Sequence, residues 1–434
     1  MRPCLPPASL VELAWSWLVG AGLIGASLLC SSCEQGAPAH PRSPDELPDG
    51  FWFDTRFDQG AASLPEELRE QVQRLERIGY AGGYEPAQES YGVVRHDAER
   101  AQAGWNLYSS GHAPEAFLID MQGEVRHRWS YAYGDLPGAL PMEHPSQNAW
   151  RRVELLPDGD LLAIHEGLGL LRIGKNSKLR WYWPGNAHHD LTLTPSGNVL
   201  VLARRPAVLS RWNPRAALLE DFIVELDPDG QEVRRVSVYA ALGTSRWADR
   251  LRSAATAGGD VLHTNSLELV QPAMAERLPQ VQAGQALVCL REIPAICTID
   301  LERGIVTWLR SGNWGQPHEP TQLPNGELLL FDNMGNQGYS RLLQLAPESG
   351  EVTWSYGGDP ARSFYSIFCG AARRLANGNT LASVSCAGEA LEISPDGEIV
   401  WRFVSPHRAG PESELVAALF EVQRLGPDEL DWLD

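Results

Sequence analysis

The segment EISPDGEIVW, Glu392–Trp401, decides the fold of this chain. It places apolar residues before a Pro-Asp-Gly turn and then a short strand that ends in tryptophan. Five earlier segments have the same turn and strand, and four of them also end in tryptophan. The turn residues of the six copies lie 46 to 74 residues apart, at Gly123, Ser177, Gly230, Gly304, Gly350 and Gly397. Units that recur at such a period bury their apolar faces against one another, so we expect a repeat architecture.

A second turn pattern precedes most copies. It reads LLPDGDLLAI from Leu155, LTPSGNVLVL from Leu193, QLPNGELLLF from Gln322 and RLANGNTLAS from Arg374. Asp-Gly, Ser-Gly and Asn-Gly supply the positive φ that tight hairpins need. Two hairpins per repeat make a four-stranded blade, and six repeats predict an all-β fold, a six-bladed β-propeller.

The two ends of the repeat region complement each other. The first copy, at Ile119, lacks a leading hairpin, and LFEVQRLGPDELDWL from Leu419 resembles the missing strand-turn-strand. We therefore expect the C-terminal segment to close the ring. Two separate β-sandwiches are the alternative, but they leave the repeat unexplained.

The chain divides into four predicted regions. Residues 1–32 form a lipoprotein-like signal peptide, 33–62 a linker rich in Pro and Gly, 63–90 a short helical extension, and 91–434 the propeller. The extension is predicted from apolar residues at helical spacing after Ser63.

The N-terminal segment predicts export. The run from Ala14 to Cys30 contains no charged residue but is too short for a confident membrane span. Ser31 and Ser32 precede Cys33, as small residues precede the lipidated cysteine of bacterial lipoproteins. We expect a protein on the periplasmic or cell-surface side, anchored through lipid on Cys33. A secreted protein and an uncleaved anchor are the alternatives.

The net charge of -19 argues against nucleic acid and against an anionic membrane surface as partners. Membrane attachment would then depend on the lipid alone. A small anionic molecule can still bind where Arg and His side chains gather locally.

The remaining cysteines lack metal-site spacing, so no structural zinc is expected. Cys289 and Cys297, like Cys369 and Cys386, are equidistant from a predicted bend or turn. In an oxidising compartment this placement predicts two cross-strand disulfides.

Three histidines fall where inner strands are predicted to begin, in AHHDLTLTPSGN, DVLHTNSLEL and GQPHEPTQLPNG. They are His189, His263 and His318. His318 and His189 each lie eight residues before a turn glycine, so they occupy equivalent positions in two blades.

Strand register adds two candidate substrate-binding residues. If the hairpins are regular, Asn333 lies opposite His318 and Arg204 lies opposite His189. A bulge would break either pairing.

The chain resembles the bacterial arylsulfotransferases from about Gly92 to Phe403. The resemblance rests on AGWNLYSSGHAPEAFLIDMQGEVRHRW from Ala103 and on HHDLTLTPSGN, DVLHTNSLE, ALVCLR and GQPHEPTQLPNGELLLFDN. Departures are the shorter repeats and the residues Pro317 and Glu319 beside the histidine of the last motif, which indicate a distant branch.

This resemblance implies a periplasmic six-bladed propeller that moves a sulfuryl group between phenols through a sulfated histidine. It implies no nucleotide sulfate donor. Carried over by motif, the nucleophile is His318, supported by His189, His263, Asn265 and Arg291.

The chemistry of these residues fits that role. A neutral imidazole is a nucleophile near neutral pH, a second histidine can act as acid and base, and arginine binds sulfate oxygens. We expect a small anionic aromatic substrate and neither a metal nor an organic cofactor.

Two other functions remain open at this point. One is a non-catalytic exported propeller lipoprotein that acts as a binding or assembly scaffold. The other, a quinoprotein-like oxidoreductase, is disfavoured because no repeated cofactor-stacking tryptophan or metal-ligand set is apparent.

Overall fold

The structure, a computed structural model, describes residues 65–76, 83–139, 142, 147–336, 339–358, 364–410 and 412–433. The predicted signal peptide, Cys33 and the linker lie outside these residues. The chain divides after Glu46 into two units, and every described residue belongs to the second, Leu47–Asp434.

The elements before the repeats are a helix and two short strands: α1 (Glu66–Glu76), β1 (Gly83–Pro86) and β2 (Gly92–His96). The helix begins with Glu66 and Glu67, and their negative carboxylates interact favourably with the positive N-terminal end of the helix dipole.

The first three blades are antiparallel sheets. Blade 1 contains β3 (Trp105–Ser110), β4 (Glu115–Ile119) and β5 (Val125–Ser130). Blade 2 contains β6 (Trp150–Leu155), β7 (Leu161–His165), β8 (Gly169–Ile173) and β9 (Leu179–Trp183). Blade 3 contains β10 (Ala187–Leu193), β11 (Val199–Ala207), β12 (Leu218–Leu226) and β13 (Glu232–Ser237).

Two helices, α2 (Val238–Gly243) and α3 (Ala248–Ala255), follow blade 3. They fill the longest interval between repeat copies, and the repeat pattern did not predict them. Helix α1 lies against blade 3, where Gln71 Oε1 accepts a hydrogen bond from the Ala217 N–H at 3.0 Å.

The remaining blades have the same design. Blade 4 contains β14 (Thr264–Leu269), then helix α4 (Pro272–Arg277), β15 (Ala286–Leu290), β16 (Ala295–Asp300) and β17 (Ile305–Ser311). Blade 5 contains β18 (Pro317–Gln322), β19 (Leu328–Asn336), β20 (Tyr339–Leu345) and β21 (Val352–Gly357). Blade 6 contains β22 (Ala371–Arg374), β23 (Thr380–Val384), β24 (Glu389–Ile393) and β25 (Ile399–Val404), with β2 on its outer edge.

The C-terminal region supplies three strands: β26 (Arg408–Ala409), β27 (Leu415–Ala417) and β28 (Leu419–Leu425). The first two form a small sheet with β1. Strand β28 pairs antiparallel with β3 and becomes the innermost strand of blade 1. The tail contributes this one strand rather than the predicted hairpin, because β3 already supplies the second strand.

Each blade packs its apolar face against the next. Among the described residues, six apolar clusters each join one neighbouring pair of blades, including blades 6 and 1. The repeat tryptophans add fixed contacts across these seams. Trp129 Nε1 donates to the Gly159 carbonyl of the next blade, and Trp401 Nε1 donates to the Met121 carbonyl, both at 3.1 Å.

These sheets and seams confirm the predicted all-β, six-bladed propeller. Its innermost strands are β28, β6, β10, β14, β18 and β22, and each contacts the next around the centre. Within the described residues, no helix has the length and apolar character needed to span a membrane.

Candidate active site

The innermost strand of five blades is irregular at one level. The register shifts near the start of β6, β10, β14, β18 and β28, whereas β22 pairs regularly. The extra residue of a bulge re-aims neighbouring side chains, and bulges are common beside active sites. Arg151, His189, Asn265 and Phe420 lie within four of these shifts, and His318 borders the fifth.

The structure corrects the predicted register. His318 lies opposite Phe331, not Asn333, because the pair Gln322 and Leu328 beside the turn is already one residue from the predicted register and the shift after His318 adds a second. In β10 the register shifts between Ala187, which pairs with Ala203, and Leu191, which pairs with Val201, so the ladder does not place Arg204 opposite His189. Both predicted ladder pairs are therefore wrong, although the residues concerned remain near one another.

His318 is held through one ring nitrogen. Its Nδ1 lies 2.7 Å from Asn333 Oδ1 and 3.0 Å from the Gln316 carbonyl oxygen. Asn333 Nδ2 donates to the carbonyls of Ser366 and Cys369 at 2.7 and 2.5 Å, which fixes Oδ1 toward the histidine. Because both partners of Nδ1 are acceptors, Nδ1 carries the proton and Nε2 keeps its lone pair.

The surroundings of His318 keep its ring neutral. Burial lowers its pKa well below the usual 6.5, and the positive charges of Arg291 and Arg151 and of His263 lower it further. The ring is 2% exposed, so little solvent is available to stabilise an imidazolium. A neutral, Nδ1-protonated imidazole presents a nucleophilic Nε2.

His263 forms an acid–base pair that the sequence did not reveal. Its Nδ1 lies 2.6 Å from Asp260 Oδ2. Burial alone would raise the pKa of Asp260, but the charge and hydrogen bond of His263 hold it well below its usual value. Arg291 Nη1 lies 3.0 Å from His263 Nε2 and brings a guanidinium to the same place.

His189 joins His263 to a second buried group. The two Nε2 atoms are 3.2 Å apart, which allows one proton between them. His189 Nδ1 lies 2.9 Å from His188 Nδ1 and 3.6 Å from Glu166 Oε1. Burial lowers the pKa of His188 and the pKa of His189 well below 6.5.

Glu166, His188 and His189 are the one set of described residues that brings three metal-ligand atoms together, all within 4.8 Å. Arg204 would compete with a metal ion for the carboxylate of Glu166, since Arg204 Nη2 lies 3.4 Å from Glu166 Oε1. A guanidinium already balances the carboxylate there, and the arrangement resembles a proton-sharing cluster more than a cation site.

The predicted substrate-binding residues have different surroundings. Asn333 is fully committed to His318 and two carbonyls, so it orients the histidine. Arg204 pairs with Glu166. Asn265 Nδ2 donates to the Pro317 carbonyl at 2.8 Å, while its Oδ1 is buried without a protein partner.

A buried polar atom without a partner marks a place for a ligand or water. Two such atoms belong to the site residues predicted from the sequence, Asn265 Oδ1 and Arg291 Nε. One accepts and the other donates, and the guanidinium also carries positive charge. This combination suits an anionic group that is attached to a hydroxyl-bearing molecule.

The predicted disulfides are wrong: Cys289, Cys297, Cys369 and Cys386 are all free and buried. Cys297 lies opposite Val288, one residue away from Cys289, so alternation directs the two thiols to opposite faces of the sheet. Cys369 precedes β22 and Cys386 follows β23, so neither belongs to the ladder between those strands.

Sequence reasoning also missed Glu166 and Asp260. Glu166 lies in the turn between β7 and β8 and reaches the site from blade 2. The spacing of Asp260 and His263, three residues apart beside a strand start, was the only available signal.

Residues 153–406, more than half of the chain, match the sequence family described as Arylsulfotransferase (ASST). The chain belongs to the arylsulfotransferase family. The matched segment contains His189, His263, Arg291 and His318, the residues to which the sequence resemblance pointed. No functionally curated protein matches the sequence.

Similar solved structures include a Bacteroides caccae protein of unknown function, with 14% identity, a TM-score of 0.48, and coverage of 74% of this chain and 98% of that one. A streptogramin B lyase has 12% identity, a TM-score of 0.42, and coverage of 78% and 95%. Virginiamycin B lyase from Staphylococcus aureus, with quinupristin, has 11% identity, a TM-score of 0.41, and coverage of 73% and 88%.

Proposed function

We propose that this chain moves a sulfuryl group from a phenolic sulfate ester to a phenol, through a sulfated His318 and without a nucleotide sulfate donor. Family membership supports a sulfotransferase-like enzyme that acts on aromatic substrates. The observation that carries the finer proposal is the fixed tautomer of His318, whose Nδ1 proton is held by two carbonyl oxygens.

In the first half-reaction, the lone pair on His318 Nε2 attacks the sulfur of the donor. The sulfur–oxygen bond to the aryl group breaks, and its electron pair leaves on the phenolate oxygen. His263 enters the step as an imidazolium and gives the phenolate its Nε2 proton, while its Nδ1 proton remains hydrogen-bonded to Asp260. The lone pair left on Nε2 then accepts a hydrogen bond from Arg291 Nη1. The products are a phenol and an N-sulfated His318, which is a covalent intermediate.

In the second half-reaction, the acceptor phenol gives its proton back to His263 Nε2. The phenolate oxygen attacks sulfur, the nitrogen–sulfur bond breaks, and its electron pair returns to His318 Nε2. His189, whose Nε2 faces that of His263, can share the proton between the two steps.

Positive charge stabilises the sulfuryl group as it transfers. Sulfuryl transfer resembles phosphoryl transfer, in which positioning and charge stabilisation of the equatorial oxygens dominate. Arg291 Nη1 lies 3.0 Å from His263 Nε2, and Arg151 lies within the bulge of β6, so we assign these two guanidinium groups to the sulfuryl oxygens. Asn265 Oδ1 can accept a hydrogen bond from the acceptor hydroxyl.

We also propose that the chain is exported through residues 1–32 and is held at the membrane by lipid on Cys33. The charge-free run and the small residues before Cys33 support this. Metabolic labelling with a fatty acid tests it: label should be lost with Cys33→Ala and kept with Cys30→Ala, and the reverse result would contradict it.

The enzymatic proposal is tested with a chromogenic aryl sulfate and no acceptor. We expect a burst of one phenol per protein, a mass gain of one sulfuryl group, and ping-pong kinetics once a phenol is added. His318→Asn should fold and lose the burst and the adduct, while His96→Asn, a control on the outer edge of blade 6, keeps both.

Undiminished turnover by His318→Asn would refute the mechanism. No turnover with any member of a broad panel of aryl sulfates would favour the scaffold function instead.

A further inference from the structure

A second layer of charged residues lies directly beneath the bulges. In four blades, the residue that follows a site-facing residue joins this layer: Arg152 follows Arg151, Asp190 follows His189, Glu319 follows His318, and Glu421 follows Phe420. Arg373, from blade 6, completes it. We call Arg152, Asp190, Glu319, Glu421 and Arg373 the channel ion-pair cluster.

Arg152 is the centre of the cluster. Its Nε lies 3.1 Å from Asp190 Oδ1, its Nη1 lies 3.4 Å from Glu319 Oε1, and the same Nη1 contacts Glu421 Oε2. The arginine side chain is only 7% exposed. Burial opposes its charge, but the surrounding carboxylates outweigh burial and keep the pKa of Arg152 above its usual value.

Arg373 ties the cluster across to blade 6. Its Nε donates to Glu421 Oε1 at 2.8 Å, and its Nη2 lies 3.5 Å from Glu319 Oε1. Asp190 binds blade 4 as well, because its Oδ2 accepts the Leu267 N–H at 2.7 Å. The cluster therefore connects the inner strands of all six blades, at the level where five of them have a bulge.

Such a cluster gives little net stability for its cost, since removing charges from water offsets most of their attraction. Its geometry is nevertheless strongly fixed, because displacing one member leaves the others unpaired. Buried ionic groups of this kind can specify one local arrangement of the chain rather than add stability.

The arrangement they specify contains the proposed nucleophile. Glu319 has a φ of +42°. Gln316, whose backbone carbonyl accepts the hydrogen bond from His318 Nδ1, has a φ of +53°. Non-glycine residues adopt such values only when their surroundings hold them there. The ion pairs of Glu319 with Arg152 and Arg373 supply that constraint directly beside His318.

We propose that the channel ion-pair cluster is a positioning device for the sulfuryl-transfer site, and that Glu319 is the positioning residue for His318. The cluster holds the bulged peptide after His318 so that Nδ1 faces Asn333 and Gln316 while Nε2 faces the substrate. This inference depends on the proposed sulfotransferase function for its kinetic readout and on the structure alone for its spectroscopic one.

Glu319→Gln tests it, because the amide keeps the side-chain volume and removes the charge that Arg152 and Arg373 bind. We expect the rate constant of the phenol burst to fall by about tenfold or more, since small displacements of a nucleophile are costly. The donor KM should change by less than about twofold, because the residue touches no substrate. Glu319→Asp, which keeps the charge, should recover part of the rate.

Glu154→Gln is the matched control. Glu154 Oε2 also lies near Arg152, 3.7 Å from its Nη2, but the preceding residue is Val153, which packs in the core between blades 1 and 2. The burst should stay within about twofold of wild type. Equal slowing in both variants, or no slowing in either, overturns the proposal.

A second readout does not need turnover. In protein with ¹⁵N-labelled histidine, His318 of the wild type should show a protonated Nδ1 and an unprotonated Nε2, and Glu319→Gln should show a mixture of tautomers. If the wild type gives no burst with any aryl sulfate, the sulfotransferase proposal fails and this measurement alone decides. An unchanged His318 spectrum in Glu319→Gln then overturns the positioning role.

Should Glu319→Gln not fold, Asp190→Asn with His189 as the observed ring applies the same test in blade 3. An unchanged His189 spectrum there is the contradicting result.

Discussion

His318 and His189 occupy equivalent places in blades 5 and 3, yet their surroundings differ. The Nδ1 of His318 meets two neutral oxygens, from Asn333 and Gln316. The Nδ1 of His189 lies near a carboxylate, Glu166, and its Nε2 meets another imidazole. A neutral acceptor fixes a tautomer without stabilising a cation, whereas a carboxylate also stabilises the protonated ring.

Position in the repeat therefore does not by itself decide the chemistry of a histidine. The repeat and its bulge bring both imidazoles to the same level of the channel, but the partners of each ring decide what it does. Burial keeps both rings neutral, but His318 is arranged as a nucleophile, whereas Nε2 of His189 faces Nε2 of His263, so that a proton can pass between these two rings. Four substitutions test this distinction.

Asn333→Leu should have the largest effect. It removes the oxygen that fixes the His318 tautomer, and loss of the correct tautomer in a catalytic histidine costs about 10³-fold or more in kcat. The ¹⁵N spectrum should show the His318 proton shared between its two nitrogens. Asn379→Leu, an equally buried asparagine of blade 6, controls for general loss of fold. A single Nδ1-protonated form in Asn333→Leu would contradict our account of His318.

Asp260→Asn should follow, with kcat reduced by about 10²-fold, because His263 loses the carboxylate that stabilises its protonated form. Since the pKa of Asp260 is held low by His263, the carboxylate is ionised throughout the neutral range, and its replacement should shift the pH profile of kcat to lower pH. Asp249→Asn, at a fully exposed position of the preceding helix, is the control. Identical pH profiles for Asp260→Asn and wild type would show that His263 is not the acid–base group.

Glu166→Gln makes the surroundings of His189 resemble those of His318. We expect kcat to fall by about tenfold, with little change in KM, because His189 keeps its place and loses only the carboxylate that offsets burial while the ring carries a proton. Steady-state kinetics with a saturating phenol acceptor measures this. An increase in KM with kcat unchanged would instead place Glu166 in substrate binding.

Of the four substitutions, Asp221→Asn should change kcat least and should have the clearest effect on the free energy of unfolding. Asp221 Oδ1 lies 3.7 Å from His188 Nε2, and burial, then the charge of Asp260, raises the pKa of Asp221 to about 7. The folded state therefore binds a proton that the unfolded state releases near pH 4, so this group lowers stability as pH rises from about 4 to 7.

Between about pH 4 and pH 7, this shift in the pKa of Asp221 lowers the free energy of unfolding by an amount on the order of 4 kcal/mol. Asp221→Asn should flatten the fall, as measured by urea unfolding at several pH values. An unchanged slope would show that Asp221 stays ionised when buried.

The sequence predicted the propeller because the repeat is long-range and redundant. Six turns with glycine or serine at the same place, and a tryptophan four or six residues after five of them, all require the same stacking. The repeat can still be recognised when one element is missing, as the leading hairpin of the first blade is. The same redundancy placed His189 and His318 at one level.

The contacts within the site were not predictable in the same way. Strand alternation gave Asn333 and Arg204 as partners, but both hairpins are one residue from the predicted register at the turn, and the bulges at His189 and after His318 shift it further. His189 has a φ of +54°, which no local sequence preference for histidine would indicate. Glu166 reaches the site from the preceding blade, and such contacts depend on how blades stack.

The closure of the ring has a consequence for how the molecule is made. Strand β3 is synthesised early, but its inner partner β28 follows only after the five intervening blades. Closing so long a loop costs little more entropy than closing a short one, yet the contact cannot begin to form until synthesis reaches Leu419. Until then the inner edge of β3 stays unpaired and the seams of blade 1 remain incomplete. Assembly of the channel, and of any chemistry inside it, is therefore a late event in the life of each chain.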